Sequence, residues 1–181
     1  MSSNTALLVI DVQVGLITGE SPAYRSRQVL ENVAYLLAQA RATGTLIVYM
    51  QHESDPGTQL APGQPAWEIH PTVTPAAGEI VLSKRASDSF YQTPLREVLQ
   101  AHHIQRLIIT GCRTEMCVDT TSRAAISRGY DVTLVQDAHS TTDSDLFRAE
   151  QIVNHHNYTL EDFGTDEHVI VLQSANNINF E

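Results

Sequence analysis

Residues 107–125 read LIITGCRTEMCVDTTSRAA, and this stretch decides the fold prediction for the chain. Its first four residues form a β-branched run of the kind found in buried parallel strands. Gly111 ends the predicted strand, and Thr114 is a candidate N-cap for the helix that follows. Cys117 then falls in the first helical turn, where free backbone N–H groups and the helix dipole favour a thiolate. Because free cysteines are often simply buried apolar residues, this stretch alone leaves a catalytic and a packing role open.

The composition is that of an ordinary globular protein with an acidic balance. The chain has 181 residues, 42% of them hydrophobic and 18% charged, and we predict a single domain over residues 1–181. A formal net charge of −10 argues against nucleic acid and anionic membranes as partners. There is no apolar run of about 18 residues that would predict a transmembrane helix, and no signal-peptide pattern at the N-terminus. Cys112 and Cys117 lie in one segment, so a reducing, cytoplasmic setting is the simplest interpretation.

Strand and helix patterns alternate along the chain. Apolar, β-branched runs predict strands at 5–10, 46–50, 79–82, 107–110, 132–135 and 168–172. Apolar residues at helical spacing predict helices at about 25–42, 93–103, 115–128 and 144–158. The alternation predicts an α/β fold, a doubly wound three-layer sandwich with a mostly parallel, six-stranded, Rossmann-like sheet.

Two segments lie outside this alternation. Residues 51–78 are rich in proline and glycine, and so long a connection inside a compact domain is usually functional or disordered. Its side chains, which include His52, Trp67 and His70, suit a lid or a pocket wall better than a linker. The polar tail at 173–181 is either an arm or a frayed end.

Three chemically distinct side chains follow predicted strands. Asp11 comes directly after the first strand, Lys84 after the third and Cys117 after the fourth. Ligands of doubly wound sheets bind outside the carboxyl ends of the strands, so an acid, a cation and a thiol are predicted to share that edge. Taken singly, Asp11 is more often a loop cap and Lys84 a surface lysine, and both interpretations stay open at this point.

Three segments together resemble the signature segments of the isochorismatase-like cysteine hydrolases. They are residues 8–13 (LVIDVQ), 84–90 (KRASDSF) and 111–118 (GCRTEMCV), and residues 121–124 and 135–138 continue the resemblance. Each motif alone is unspecific, but three in the right order at the right strand ends are specific, and the likeness covers essentially the whole chain. The resemblance implies the isochorismatase-like hydrolase fold and a homo-oligomer, either a dimer or a larger assembly.

The same resemblance assigns roles to residues. It implies Cys117 as the nucleophile, Asp11 as the general base and Lys84 as its cationic partner. It also implies a cis peptide bond between Cys112 and Arg113, which turns the backbone N–H groups of Arg113 and Cys117 toward an oxyanion. The reaction implied is hydrolysis of a C–N, amide-type bond of a small-molecule substrate through an acyl-thioester intermediate.

The loops near these motifs supply candidate substrate-binding residues. Trp67, Phe90 and Tyr91 are predicted to wall an apolar pocket, and Gln13 and His52 to orient the substrate. These five predictions rest on loop position alone.

No metal ion and no other cofactor is predicted. Nicotinamidases of this superfamily carry an Asp-x-His motif and a later histidine that bind a metal ion, whereas the corresponding residues here are Gln51, His52 and Glu53. His52, Glu53 and His70 are three candidate ligands, but their spacing does not match the family's site. Nicotinamide is therefore a weaker candidate as the substrate.

Two other functional classes compete with the hydrolase. A thiol-redox protein would pair Cys117 with Cys112, but a five-residue separation is not the C-x-x-C redox pattern, and Cys112 is best interpreted as a packing residue. A non-catalytic binding module with the same fold is the second alternative. A dinucleotide-binding Rossmann domain is excluded because no G-x-G-x-x-G follows the first strand.

Overall fold

The computed structural model describes residues 4–180. The strands are β1 (Thr5–Ile10), β2 (Leu46–His52), β3 (Ile80–Lys84), β4 (Arg106–Cys112), β5 (Asp131–Ser140) and β6 (Ile170–Gln173). The α-helices are α1 (Val14–Ile17), α2 (Ser26–Thr43), α3 (Leu95–Ala101), α4 (Asp119–Ile126) and α5 (Ala149–Leu160). Single turns of 3₁₀-helix at Pro71–Val73 and Ala175–Asn177 and of π-helix at Thr114–Val118 complete these elements. In this range no helix is long and apolar enough to cross a bilayer.

The strands form one six-stranded sheet in the order β3-β2-β1-β4-β5-β6, and every neighbouring pair is parallel. The chain builds the sheet outward from β1 to β3 on one side and then from β4 to β6 on the other. The winding direction therefore changes between β1 and β4, and such a switch point is where doubly wound sheets bind ligands. The predicted α/β fold is confirmed.

The central strand β1 is buried on both faces because helices cover both sides of the sheet. Its Leu7 and Val9 pack against Val33 and Leu36 of α2 in one hydrophobic cluster. The side chains that alternate with them join a second cluster with α3, α4 and α5, formed among others by Ala6, Leu8, Ile10, Leu99, Ile126 and Leu160. This two-sided packing explains why β1 reads as a continuous apolar run, and it fixes the end of the strand from which Asp11 projects.

β4 and β5 extend beyond their predicted ends at 110 and 135. After a register shift the two strands continue as a pair, with Gly111 opposite His139 and Cys112 opposite Ser140. Gly111 therefore does not end the strand. Its φ is +126°, and a Cβ there would lie 1.9 Å from the Ile10 carbonyl oxygen, so this close approach of β1 requires glycine.

The helix predicted at 115–128 is two elements. A turn of π-helix precedes α4, which ends at Ile126. Thr114 is not the N-cap, because Arg113 holds that position and the Thr114 hydroxyl contacts His139 instead. Cys117 therefore lies in a π-helical turn, an element that often marks functional sites.

The long connection and the tail are both packed onto the fold. Backbone N–H groups of Val14 and Gly15 donate to the carbonyls of Glu68 and Ala66 at 2.9 and 2.8 Å, so the loop at 53–79 is bound to the start of α1. In the tail, Phe180 is only 3% exposed and joins the α2 side of the core. The frayed-end prediction is therefore wrong for the described part of the tail.

Candidate active site

The three predicted catalytic residues meet at the carboxyl edge of the sheet. Asp11 follows β1, Lys84 is the last residue of β3, and Cys117 lies in the turn after β4. Lys84 Nζ lies 2.7 Å from Asp11 Oδ2, and it donates to Cys117 Sγ at 3.1 Å and to the Ala86 carbonyl at 2.9 Å. These three partners match the three N–H donors of an ammonium, so the cation is fixed between the acid and the thiol.

Strand pairing places the lysine. β2 and β3 run to His52 and Lys84, beyond the predicted ends at 50 and 82, and these two residues are paired in register. Lys84 is therefore part of a strand rather than of a loop, and its position relative to β1 is set by the sheet.

The acid and the lysine are enclosed, whereas the thiol is reachable. The side chains of Asp11 and Lys84 have no exposed surface, and Cys117 is partly exposed. Among residues 4–180, the two Asp11 oxygens have no hydrogen-bond donor with standard geometry beyond this ion pair. Asp11 also has a left-handed φ of +50°, which aspartate tolerates better than most residues. Of these three side chains, Cys117 is therefore the one that can be reached from outside.

Burial dominates the proton affinities of the site. It raises the pKa of Asp11 above its ordinary value, with the Lys84 ammonium opposing the increase. Burial and then the Asp11 carboxylate raise the pKa of Cys117 to about 11, against the opposing effect of Lys84. Burial alone would lower the pKa of Lys84, but Asp11 and Cys117 together raise it. Burial therefore favours a protonated Cys117 thiol, and the resting thiolate expected from the sequence is not supported. The pairing of Asp11 with Lys84 rests on the 2.7 Å contact between them.

The backbone before Cys117 has the predicted unusual bond. The peptide between Cys112 and Arg113 is cis. The Arg113 carbonyl accepts from the N–H groups of Met116 and Val118 at 3.2 and 3.1 Å, so the turn closes around this residue. That the N–H groups of Arg113 and Cys117 bind an oxyanion stays a prediction.

Gln13 ties three segments together at the floor of the site. Its Nε2 donates to the carbonyls of His52 and Trp67 at 2.9 and 2.7 Å, and its Oε1 accepts from the His52 N–H at 2.9 Å. The side chain is fully buried, and both amide protons are used within the protein. The geometry therefore differs from the predicted substrate contact, because Gln13 fixes the backbone of the residues that flank the site.

His52 and Trp67 each hold a polar atom without a partner. His52 Nδ1 and Trp67 Nε1 are buried and have no hydrogen bond within the described chain. Burial lowers the pKa of His52, so its imidazole is neutral near pH 7. Both residues are held by Gln13 through their backbones.

The other two predicted aromatic wall residues, Phe90 and Tyr91, have different environments. Phe90 is 7% exposed and packs in the core, where its ring lies 5.9 Å from that of Tyr130 and 4.7 Å from the Arg128 guanidinium carbon. The prediction that Phe90 walls the pocket does not fit this position, because its ring is packed in the core. Tyr91 is 56% exposed and lines a cavity of about 390 Å³ that also reaches Lys84 and Arg85.

The candidate metal ligands do not converge. Among residues 4–180 there is no group of three or more His, Cys, Asp or Glu side chains placed to hold a metal ion. His70 Nδ1 instead accepts a hydrogen bond from the Thr72 N–H at 3.3 Å and caps the 3₁₀ turn.

A further set of hydrogen bonds, which the sequence did not reveal, holds the loop that follows Lys84. The Thr121 hydroxyl on α4 accepts from the Ser89 N–H at 3.1 Å and donates to the Ser89 hydroxyl at 2.9 Å. These bonds join the loop after Lys84 to the helix after Cys117. The sequence showed only that Thr121 lies in a helical pattern, which does not identify Ser89 as its partner.

The fold and the site define a doubly wound α/β protein with an Asp–Lys–Cys triad at its switch point. A model of the isochorismatase domain matches residues 5–161 of the chain. The chain belongs to the isochorismatase family.

Among curated relatives, the chain is similar to a streptothricin hydrolase of Streptomyces noursei, 41% identical over 138 residues, which are 76% of this chain and 55% of that protein. It is also similar to the maleamate amidohydrolase of Pseudomonas putida, 31% identical over 161 residues, which are 80% of this chain and 76% of that protein. The chain spans about half the length of the streptothricin hydrolases that it matches.

Solved structures agree with the fold. A putative isochorismatase hydrolase from Oleispira antarctica is 31% identical, with a TM-score of 0.86 over 97% of this chain and 96% of that one. An isochorismatase from Pseudomonas putida is 28% identical, with a TM-score of 0.87 over 97% of this chain and 90% of that one.

Proposed function

We propose that the protein is a cysteine hydrolase that cleaves a C–N, amide-type bond of a small molecule through an acyl thioester on Cys117. The observation that carries this proposal is the single ammonium of Lys84, which contacts both Asp11 Oδ2 and Cys117 Sγ inside the sheet edge. A nucleophile, a base and an orienting cation within contact distance form the arrangement that covalent hydrolysis needs.

The proton pathway follows from the resting charges. As Cys117 Sγ attacks the carbonyl carbon, the C=O electron pair moves to oxygen and the thiol proton passes to Asp11. When the tetrahedral intermediate collapses, the C–N bond breaks and the leaving amine takes that proton. Asp11 then removes a proton from water, whose oxygen attacks the thioester, and the proton returns to the departing sulfur. The raised pKa of Asp11, which results from burial, makes it a better base for each transfer.

The substrate contacts are proposed in part from unpartnered atoms. Trp67 Nε1 is a hydrogen-bond donor and His52 Nδ1 is either a donor or an acceptor, so together they suit a planar, polar amide or carboxyl group. Tyr91 lines the cavity of about 390 Å³ at the end of β3. Gln13 is assigned a positioning role, and Phe90 a structural one. The relatives named for streptothricin, maleamate and ureidoacrylate support a small amide-type substrate without selecting one.

The first prediction is an acyl adduct on one cysteine. During turnover of an amide found by screening lactams, maleamate-like and ureido-type compounds, rapid acid quenching is expected to trap the acyl group on Cys117. Intact-mass and peptide spectrometry measure it. Cys117→Ala should show no adduct and no turnover, a loss of at least about 10³-fold.

Cys112→Ala is the matched control for this experiment. Cys112 is fully buried, and burial raises the pKa of Cys112 to about 12, so its thiol is unreactive. We expect this variant to keep the adduct and the turnover. Turnover by Cys117→Ala would refute the covalent mechanism, and no turnover of any amide by the wild type would favour the non-catalytic or thiol-redox alternative.

We also propose that the protein works as a homo-oligomer in the cytoplasm, where a reducing setting keeps the free Cys117 thiol active. Leu146 is 84% exposed and Phe147 is 56% exposed, and Phe147 lines an apolar cavity of about 420 Å³ against α5. Large exposed apolar side chains beside a cavity are typical of interfaces. Light scattering after gel filtration is expected to give at least a dimer for the wild type and a smaller species for Phe147→Glu; a monomeric wild type would contradict this.

A further inference from the structure

The end of β5 and the two residues after it hold the turn that leads to the nucleophile. Three consecutive residues of that turn each contact a side chain at 139–142. The bonds are Arg113 Nη1 to the Thr142 hydroxyl, Thr114 Oγ1 to His139 Nδ1 at 2.9 Å, and the Thr141 hydroxyl to Glu115 Oε1 at 2.9 Å. The middle bond is the buried one, since Thr114 has no exposed surface and His139 is 2% exposed.

The direction of the Thr114–His139 bond follows from its neighbours. Asn157 on α5 donates from Nδ2 to the Gln136 carbonyl at 3.1 Å, so its Oδ1 faces His139 Nε2 at 2.8 Å. The reverse orientation of the amide would bring two carbonyl oxygens together. His139 Nε2 must therefore carry the proton and donate, which leaves Nδ1 as an acceptor for the Thr114 hydroxyl. This series of hydrogen bonds therefore runs from Thr114 in the nucleophile turn, through His139 on β5, to Asn157 on α5.

The His139 imidazole in this hydrogen-bond series stays neutral. Burial lowers the pKa of His139 to about 4, against smaller opposing effects of Asn157 and Asp137. The tautomer that accepts from Thr114 is therefore the form present at any pH near neutrality. A fully buried bond with one fixed direction holds both backbone segments in one arrangement.

We propose that His139 and Thr114 are positioning residues for the oxyanion-binding turn of the proposed hydrolase. Thr114 directly follows Arg113 and lies three residues before Cys117, so anchoring its side chain orients the backbone N–H groups on both sides of it. The proposal rests on the proposed function, because it concerns stabilisation of the carbonyl oxygen during thiol addition. A displacement of such donors by about 1 Å is enough to lower a rate by about 100-fold.

Two pairs of variants distinguish loss of the Thr114–His139 hydrogen bond from a general packing defect. Thr114→Val keeps the shape and removes the hydroxyl, whereas Thr114→Ser keeps the hydroxyl. In His139→Asn the side-chain oxygen occupies roughly the place of Nδ1 and still accepts from Thr114. In His139→Gln the amide nitrogen occupies roughly the place of Nε2, so it keeps the donor to Asn157 and leaves Thr114 without an acceptor.

The readout compares two reactions of the same sulfur. Addition of propionaldehyde forms an S–C bond while the C=O electron pair moves to oxygen and the thiol proton passes to Asp11, so the alkoxide that results needs the oxyanion donors. Alkylation by iodoacetamide expels iodide and needs no such donors. We measure the aldehyde dissociation constant from protection of Cys117 against alkylation, together with kcat, KM and Tm for each variant.

We expect Thr114→Val and His139→Gln to weaken aldehyde binding and lower kcat by about 10- to 100-fold, with KM and the alkylation rate nearly unchanged. Thr114→Ser and His139→Asn should stay within about 3-fold of the wild type even where Tm falls. Equal losses within each pair, or losses that follow Tm alone, would overturn the proposal, as would an aldehyde that fails to protect the wild type. Because aldehyde protection is measurable without a substrate, absence of amide turnover would refute the proposed function separately.

Discussion

Replacing Asp11 by Asn is expected to abolish amide hydrolysis while making Cys117 react faster with iodoacetamide at neutral pH. The two effects have one cause. The Asp11 carboxylate raises the pKa of Cys117, so its removal lowers that pKa and increases the thiolate fraction. Lys84, which loses its carboxylate partner in this variant, is left with the thiolate as its counterion. Hydrolysis nevertheless loses its general base, which contributes about 10²- to 10⁴-fold.

The measurement is the alkylation rate of Cys117 from pH 6 to pH 10, beside turnover of the screened substrate. The wild-type rate should still be rising with pH above 9, and the profile of Asp11→Asn should lie at lower pH. Asp131→Asn, at the opposite edge of the sheet and on the surface, is the matched control and should change neither quantity. A wild-type thiol that titrates well below neutral pH, rather than above its free value of about 8.5, would show that Cys117 rests as a thiolate and that Asp11 is not its base.

The sequence could predict that Asp11, Lys84 and Cys117 meet, because each lies at or after the carboxyl end of a strand. Buried strands such as β1 have an unmistakable pattern, and the carboxyl ends of parallel strands must meet at one edge. The order of the sheet, β3-β2-β1-β4-β5-β6, then brings Asp11 and Cys117 to neighbouring strands and Lys84 within reach across β2. The cis bond at Cys112 came from the family resemblance alone, since no local pattern indicates it.

The errors of prediction concern polar residues that are buried in pairs. His139 and Ser140 continue β5 although neither is apolar, because each is opposite a residue of β4 and hydrogen-bonded by its side chain. Hydrophobic periodicity cannot detect a polar residue that is buried because its partner, distant in sequence, satisfies it. Gln13 was misjudged for the same reason, since its partners, at 52 and 67, lie on another strand and in a long loop.

The proton affinity of Cys117 also depended on information that the sequence lacks. Helix position and a nearby lysine both argued for a lowered pKa, and both features are present. Burial and the Asp11 carboxylate outweigh them; the sequence predicts the acid at the same edge of the sheet as the thiol, but it does not give the degree of burial. Contributions that raise the pKa of Cys117 and contributions that lower it are both present, so the distances and the burial in the structure decide the direction of the shift.

Replacing Lys84 by Met is expected to be the most destabilising change at the site. It leaves the fully buried Asp11 carboxylate without its cation, and breaking such a buried pair costs about 3–5 kcal/mol of unfolding free energy. Turnover should fall by at least about 10³-fold, because the Asp11–Lys84–Cys117 unit is broken. Alkylation of Cys117 should slow, because the ammonium that lowers the pKa of the thiol is gone.

The stability deficit of Lys84→Met should depend on pH in a defined direction. Loss of the ammonium raises the pKa of Asp11 further above its unfolded value, so between those two values the native state binds a proton that the unfolded state lacks. Stability is therefore retained at low pH and lost as the pH rises through the folded pKa, and urea unfolding at pH 5 and pH 8 should show a larger deficit at pH 8.

The double variant Asp11→Asn/Lys84→Met contains neither charge, so it should recover about 1–2 kcal/mol or more relative to Lys84→Met at pH 8 and remain inactive. Equal deficits at both pH values, or a double variant no more stable than the single one, would mean that Asp11 is not held as a carboxylate by Lys84, and the base would have to be sought elsewhere.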